Sequence, residues 1–405
     1  MYKIEKNTKN KSITNGVFTM KKVMLLFFIF VFIVATVAVS FGVSAETKEV
    51  EIAKNSKAAY ACDWNSGTEI YANNPTKRLP IASMCKIMTL LLCFEAERDG
   101  KISFDDEITI SNRAAGMGGS QVFLEENGKY PVGELIKSIC IASANDSCVA
   151  MAETLAGSEE LFVKRMNERA GELGMENTSF SNCTGLPKEG QYSCAKDVAV
   201  MLSELLKNEK YFNYSTIWMD EMHHSGDRIT QMANTNKLIR YYQGCDAGKT
   251  GYTSEAGFCL AASAKRGNMR VVSVVIGGAD SKSRFGDVSE MFDYAFANFT
   301  SKCVLEQKVI QDTHCTVKGG KLREITVIPE RPAYVFCSKN EEDSVTFEID
   351  LQEMKAPVYR GDCVGKIIIY RNGVESESIP VLANEESLKK SYWDSLRDIG
   401  LNWNF

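Results

Sequence analysis

Apolar residues along this chain fall into three patterns. The first is helical. Residues 90–94 (Leu-Leu-Leu-Cys-Phe) follow Pro80-Ile81-Ala82-Ser83-Met84-Cys85-Lys86-Ile87-Met88-Thr89, and a helix apolar on nearly every side belongs in a core. Residues 132–156 predict a second apolar helix, which ought to break or bend at Ser143-Ala144-Asn145-Asp146. Residues 161–173, 194–207 and 287–299 read as further helices. The second pattern is β. Residues 58–71, around Asp63-Trp64-Asn65-Ser66-Gly67, and 257–278, around Lys265-Arg266-Gly267-Asn268, predict hairpins. Between them, residues 97–111 form a polar stretch with short β-like runs, and residues 116–120 a flexible glycine-rich loop. The third pattern begins near Cys303. Short strands at 324–328, 333–337, 345–351 and 366–370 alternate with turns, and Arg371-Asn372-Gly373-Val374 is a strong hairpin signal.

These patterns predict an α+β unit over residues 46–300, its antiparallel sheet flanked by helices, followed by a small all-β domain over 301–384. The last segment, 385–405, carries Tyr392, Leu396, Ile399 and Trp403 at helical spacing, with Lys389, Lys390, Asp394, Arg397 and Asp398 opposite. It is too short and charged to span a bilayer, so the expectation is a helix lying in a membrane interface, with Trp393 and Phe405 adding aromatic surface.

Residues 1–45 add a location. A polar, basic stretch leads to Met20-Lys21-Lys22, then an apolar run at 23–43, then Val43-Ser44-Ala45. This reads as a secretory signal cut after Ala45, with Met20 a possible start; an uncleaved anchor is the alternative. Either way the remainder of the chain is expected outside the cytoplasm. Residues 1–45 hold six basic residues and one acidic, which leaves 41 basic against 51 acidic, or −10, for the rest. That argues against a nucleic-acid partner. The 405 residues include three histidines and no Cys-x-x-Cys or His-x-x-x-His pair, so neither metal nor cofactor is expected. Thirteen cysteines, many in apolar segments, read as buried free thiols.

The chemistry centres on Ser83 and Lys86. Side chains three apart share a helical face, and burial lowers an ammonium's pKa. A neutral lysine can take a proton from serine, which needs such a base to become a nucleophile. The spacing alone is weak, since Ser193–Lys196 and Ser387–Lys390 repeat it. Two further features raise its weight. Ser143-x-Asn145 is polar inside an apolar helix, where unpaired groups are costly. Lys249-Thr250-Gly251 opens a hairpin, and its glycine lets another backbone approach. Gly116-Met117-Gly118-Gly119-Ser120 lacks the Gly-Lys-Ser/Thr of a phosphate cradle.

Ser-x-x-Lys, Ser-x-Asn and Lys-Thr-Gly in this order form the penicillin-recognising signature. With Gly118-Gly119-Ser120 and Phe180-Ser181-Asn182-Cys183-Thr184-Gly185-Leu186-Pro187, the chain from about Ala58 resembles the D-alanyl-D-alanine carboxypeptidases, the low-molecular-mass penicillin-binding proteins. The resemblance implies a penicillin-binding, β-lactamase/transpeptidase-like domain acting on peptidoglycan pentapeptides and inhibited by β-lactams. It implies Ser83 as nucleophile, Lys86 as base and Ser143 as proton relay. Asn145 would hold the substrate amide, while Lys249, Thr250, Gly251 and Arg284 would serve its carboxylate. Backbone N–H groups of Ser83 and Tyr252 would form the oxyanion hole. Cys85 and Cys194 depart from the usual threonines, and Ala247-Gly248 from the usual residues before Lys249. The competing expectations are a serine β-lactamase using Glu209, which lies further from Ser143 than class A enzymes place theirs, and an inactive peptidoglycan-binding protein. A Ser-His-Asp hydrolase would need His223 or His224, which fall in a polar, loop-like stretch.

Overall fold

The computed structural model describes residues 51–339 and 344–394; the leader at 1–45 lies outside them. A five-stranded antiparallel sheet runs in the order Glu69–Asn73, Ala58–Asp63, Met269–Gly278, Gly257–Arg266, Cys245–Thr253. Its central strand, Met269–Gly278, is buried along its whole length. Val272, Val274 and Ile276 face the helical layer, whereas Val271 and Val275 face the helix Ser281–Asn298. This is the period-two alternation of a strand covered on both faces.

The core helix runs Lys86–Arg98, and the residues before it, Ala82–Cys85, form a 3₁₀ turn. Ser83 therefore sits one turn before the α-helix rather than within it. Three residues per turn eclipse side chains three apart, which stacks Ser83 against Lys86. Phe94 anchors the helix, its ring meeting Phe104, Tyr211 and Tyr214 edge to face at 5.6–5.9 Å. The predicted break is real: one helix spans Val132–Ile141 and the next Asn145–Ala156. The helix Glu159–Glu172 and the helix Ala195–Leu205 follow. Cys194 caps the latter, its sulfur accepting from Asp197 N at 3.4 Å.

Four expectations need correction. Residues 116–120 are pinned rather than free, because Asn145 bonds to two of their carbonyls. His223 lies in a two-stranded ribbon, Met219–His223 with Ile229–Ala233, and His224 follows it directly. The His224 ring is fully engaged, with Tyr130 at 2.7 Å and Thr230 at 2.9 Å. The β-rich part starts at Phe299, because the helix Ser281–Asn298 runs straight into the strand Phe299–Leu305, paired with Ala333–Ser338. The tail is not helical from 385. Ser387 is buried, and bridges Val358↔Ser387 and Gly320↔Lys389 stitch this stretch to the β domain. A helix starts only at Tyr392, and residues 395–405 lie outside the described part.

The small domain is built on a six-stranded sheet, in which Cys363–Arg371 and Val374–Ala383 form the predicted hairpin. Asn372 and Gly373 both have positive φ, 52° and 78°, as a tight two-residue turn with the strands' own twist requires. All thirteen cysteines are free thiols, and only Cys303 and Cys363 are not buried.

Candidate active site

Lys86 Nζ lies 2.9 Å from Ser83 Oγ and also donates to the Thr184 carbonyl. Its side chain is fully buried, and the contacts just named involve no carboxylate. Burial pushes its pKa down from the ordinary lysine range. The segment carrying Thr184 is fitted closely to the 3₁₀ turn. Its carbonyls also receive Cys85 Sγ at Asn182 and Thr89 Oγ1 at Cys183. A Cβ on Gly185, which has φ +85°, would stand 2.0 Å from the Ala82 carbonyl oxygen; the close approach is open to glycine alone. Cys85 thus packs away from Ser83.

Ser143 occupies the gap between two helices with φ +63°, a left-handed conformation that is costly for a residue with a Cβ. Its hydroxyl is buried and has no hydrogen-bond partner, so a donor and an acceptor stand unused. Asn145 opens the next helix. Its Nδ2 donates to Gly118 O at 2.7 Å and its backbone N to Ser120 O at 2.7 Å. Asp146 is buried beneath it and spends its oxygens on the N–H groups of Val122, Leu124 and Ser147.

The edge strand Cys245–Thr253 crosses in front of the 3₁₀ turn. A Cβ on Gly251 would stand 2.7 Å from Ile81 O and 3.2 Å from Ser83 N, so the Lys-Thr-Gly glycine permits this crossing. Lys249 is buried, with Nζ on the Thr250 carbonyl at 3.2 Å. Burial first, and the neighbouring Lys86 charge second, push its pKa down to about 7. The strand bulges between Cys245 and Ala247, and Gly248 has φ +149°. Tyr252 turns its ring to solvent, against Phe258 at 4.4 Å between centroids.

Arg284 is buried, not a solvated charge. Its Nη1 donates to Gly251 O at 3.1 Å, and its guanidinium lies over the Phe258 and Phe285 rings. Its Nε is buried with no partner. The sequence reading missed Thr184, which acts through a carbonyl, and Thr235. Thr235 Oγ1 accepts from Thr250 Oγ1 at 2.8 Å, and its N–H donates to Ile141 O at 3.0 Å, two residues before Ser143. The one sequence signal for it was the compact polar run Asn234-Thr235-Asn236.

The structure therefore brings Ser83, Lys86, Lys249, Thr250 and Gly251 together through direct contacts and shared burial, with the Ser143 loop joined through Thr235. Glu209 stands apart. It is exposed and lines a cleft of about 880 Å³ with Trp64, Phe212 and Tyr334, whose walls contain none of the three motifs. Among the described residues no group of three His, Cys, Asp or Glu side chains is placed to hold a metal.

Two family models match the chain: D-alanyl-D-alanine carboxypeptidase over residues 43–280, and penicillin-binding protein 5, C-terminal domain, over 299–389. The D-alanyl-D-alanine carboxypeptidase DacF of Bacillus subtilis is 40% identical over 355 residues, covering 87% of this chain and 91% of that protein. DacA of Escherichia coli is 29% identical, covering 83% and 84%. Among solved structures, penicillin binding protein 5 from Haemophilus influenzae matches with a TM-score of 0.68 and 28% identity, covering 84% of this chain and 98% of that one.

Proposed function

This chain belongs to the D-alanyl-D-alanine carboxypeptidase family of serine peptidases, and from that premise we propose the part each side chain plays. Neutral Lys86 takes the Ser83 proton across their 2.9 Å contact. Ser83 Oγ then bonds to the carbonyl carbon of the penultimate D-alanine. The developing oxyanion is received by the N–H groups of Ser83 and Tyr252, a contribution of about 3 kcal/mol per donor. Collapse breaks the C–N bond, and the departing D-alanine nitrogen takes its proton through the Ser143 hydroxyl. Water, deprotonated by the same Lys86–Ser143 pair, then cleaves the acyl-enzyme.

Asn145 holds the substrate amide. Lys249, Thr250 and Arg284 serve the terminal carboxylate, whose arrival draws the Lys249 pKa back up, since an adjacent anion favours the charged form. Penicillin acylates the same serine. The observation that carries this reading is a buried lysine, free of any contacting carboxylate, on the serine of the first motif. Incubation with a peptide ending in D-Ala-D-Ala tests it. Protein lacking residues 1–45 should release D-alanine and take up one penicilloyl group on Ser83, and Ser83→Ala should do neither. A label that survives in Ser83→Ala would reassign the nucleophile.

The exported location and the membrane surface as partner belong to the same proposal. The signal at 1–45 carries the enzyme across the membrane. The terminal helix then holds it against the outer face, with the β domain as spacer. Ser391 and Asp394 bond reciprocally at the helix start, Asp394 N to Ser391 Oγ at 3.2 Å and Ser391 N to Asp394 Oδ2 at 2.9 Å, a capping arrangement that launches a helix. Tyr392 and Trp393 are 72% and 77% exposed, as rings suited to a headgroup boundary would be. Because Ser387 is built into the β domain, the informative truncation removes residues 392–405 only. Loss of liposome co-sedimentation in that form supports the anchor; unchanged sedimentation rejects it.

A further inference from the structure

The peptide unit that joins Gly251 to Tyr252 has a charged group on its far side. It belongs to the edge strand Cys245–Thr253 and lies against the 3₁₀ turn, where a Cβ on Gly251 would stand 3.2 Å from Ser83 N. In a trans peptide the carbonyl and the N–H point to opposite sides. The Gly251 carbonyl therefore faces away from the oxyanion assigned above to the Tyr252 N–H. That carbonyl accepts from Arg284 Nη1 at 3.1 Å, in a buried contact. The same nitrogen reaches Cys259 O at 3.4 Å, and Cys259 is the cross-strand partner of Gly251.

Arg284 is held in place for this contact. It stands in the first turn of the helix Ser281–Asn298, whose start is fixed by Asp280 accepting from Ser283 N at 2.7 Å. Its guanidinium lies 5.4 Å from the centre of the Phe258 ring and 4.9 Å from that of Phe285, which favours the cation and limits its tilt. Guanidinium protons do not rotate, so their directions follow from the heavy atoms. Among the described residues, none of its hydrogen bonds goes to a carboxylate, so its charge is spent on backbone carbonyls. A charged donor makes a hydrogen bond roughly twice as strong as a neutral one. Placed on a carbonyl, it polarises the amide and strengthens what the N–H of that amide gives. We propose that Arg284 is a positioning residue of the oxyanion hole: its Nη1 orients and polarises the Gly251–Tyr252 peptide, and so strengthens the Tyr252 N–H. This adds to the carboxylate role given above, which falls to Nη2, a nitrogen with no hydrogen-bond partner among the described residues. The inference rests on the reading of the site given above.

Arg284→Met keeps the apolar bulk and removes the donors, and two readouts separate the roles. The first is the ester carbonyl of the penicilloyl group on Ser83, labelled with ¹³C and followed by difference infrared spectroscopy. Its stretch falls as hydrogen bonds to its oxygen strengthen, so the band of the variant should lie at higher wavenumber than that of wild type. The second is a peptide whose terminal D-Ala-D-Ala is amidated, which offers Nη2 no carboxylate. Its kcat should fall about tenfold, less than the loss of a whole donor, with KM little changed. One penicilloyl label per chain shows that a variant is folded and its Ser83 competent. Arg284→Gln, neutral and shorter, carries the same expectations where the Met form does not label. In a labelled variant, either an unmoved band or an unchanged kcat on the amidated peptide overturns the role of Arg284 and leaves the site reading intact. Failure of the wild type to label on Ser83 overturns the site reading, and this inference with it.

Discussion

The two folded parts of this molecule differ in what they bury. Between Phe299 and Asp394 the buried polar side chains among the described residues are Ser301 and Ser387. The sheet interior there is Val, Ile, Ala and Cys, and the left-handed non-glycine residues, Asp312 and Asn372, stand outside it. The larger unit buries Lys86, Asp146, Lys249 and Arg284, and among the described residues every buried side-chain nitrogen or oxygen without a partner lies in it, on Asp63, Ser143, Ser273 and Arg284. It also holds Ala82 and Ser143 at positive φ, immediately beside the reactive groups. Desolvated lysines and an orphaned hydroxyl oppose folding by kilocalories. Only a core as large as the one around the helix Lys86–Arg98 offsets them. The comparison shows where chemistry was placed: in the part of the chain whose interior can carry the cost.

Lys86→Met should sharpen that contrast most. Turnover should fall about 10⁴-fold, as with other activated-serine sites. Thermal unfolding should move up by about 1 kcal/mol, since a buried amine gives way to an isosteric apolar chain. A lower melting temperature would show that Lys86 stabilises the fold and would break the contrast. Ser143→Gly comes next. Glycine removes the φ +63° penalty, so stability should hold or rise by a few tenths of a kcal/mol, while D-alanine release drops about 100-fold.

Lys249→Met carries a stability signature. The folded Lys249 pKa of about 7 lies below the ordinary 10.5, so folding expels a proton between these values. Wild type should therefore gain on Lys249→Met as pH rises from about 7 toward 10.5, measured by denaturant melts across that range. The smallest catalytic effect belongs to the other region. Ile379→Ala in the β domain should cost about 3 kcal/mol of stability and leave kcat of the folded enzyme unchanged. A slowed kcat would mean that the spacer steers the site.

Much of this was legible because the chemistry breaks local rules. Polar residues inside an apolar helix announced the gap at Ser143, and the order of the three motifs announced the reaction. The 3₁₀ turn at Ala82–Cys85 was not legible, since one turn is too short to display a period. Thr184 works through its backbone, which no residue type reveals. Thr235 depends on a ribbon folding back on the edge strand, a contact across 15 residues. Arg284 was reached through the resemblance alone, since its neighbours Ser281, Lys282 and Ser283 are polar; the packing of its helix on the strands Met269–Gly278 and Gly257–Arg266 buries it. The tail misled in the other direction. The apolar stripe that begins at Tyr392 was extended back to Ser387, where pairing with Val358 overrides helical preference.

The central claim is that Lys86 is an uncharged base at the protein's working pH. Lysine labelled with ¹³C at Cε reports it directly, with the Lys86 signal assigned by its absence in Lys86→Met. The predicted titration midpoint lies well below that of the exposed lysines in the same sample, and it should coincide with the acid limb of acylation. A Lys86 signal that titrates with the exposed lysines would mean a charged ammonium beside Ser83 and would contradict the account.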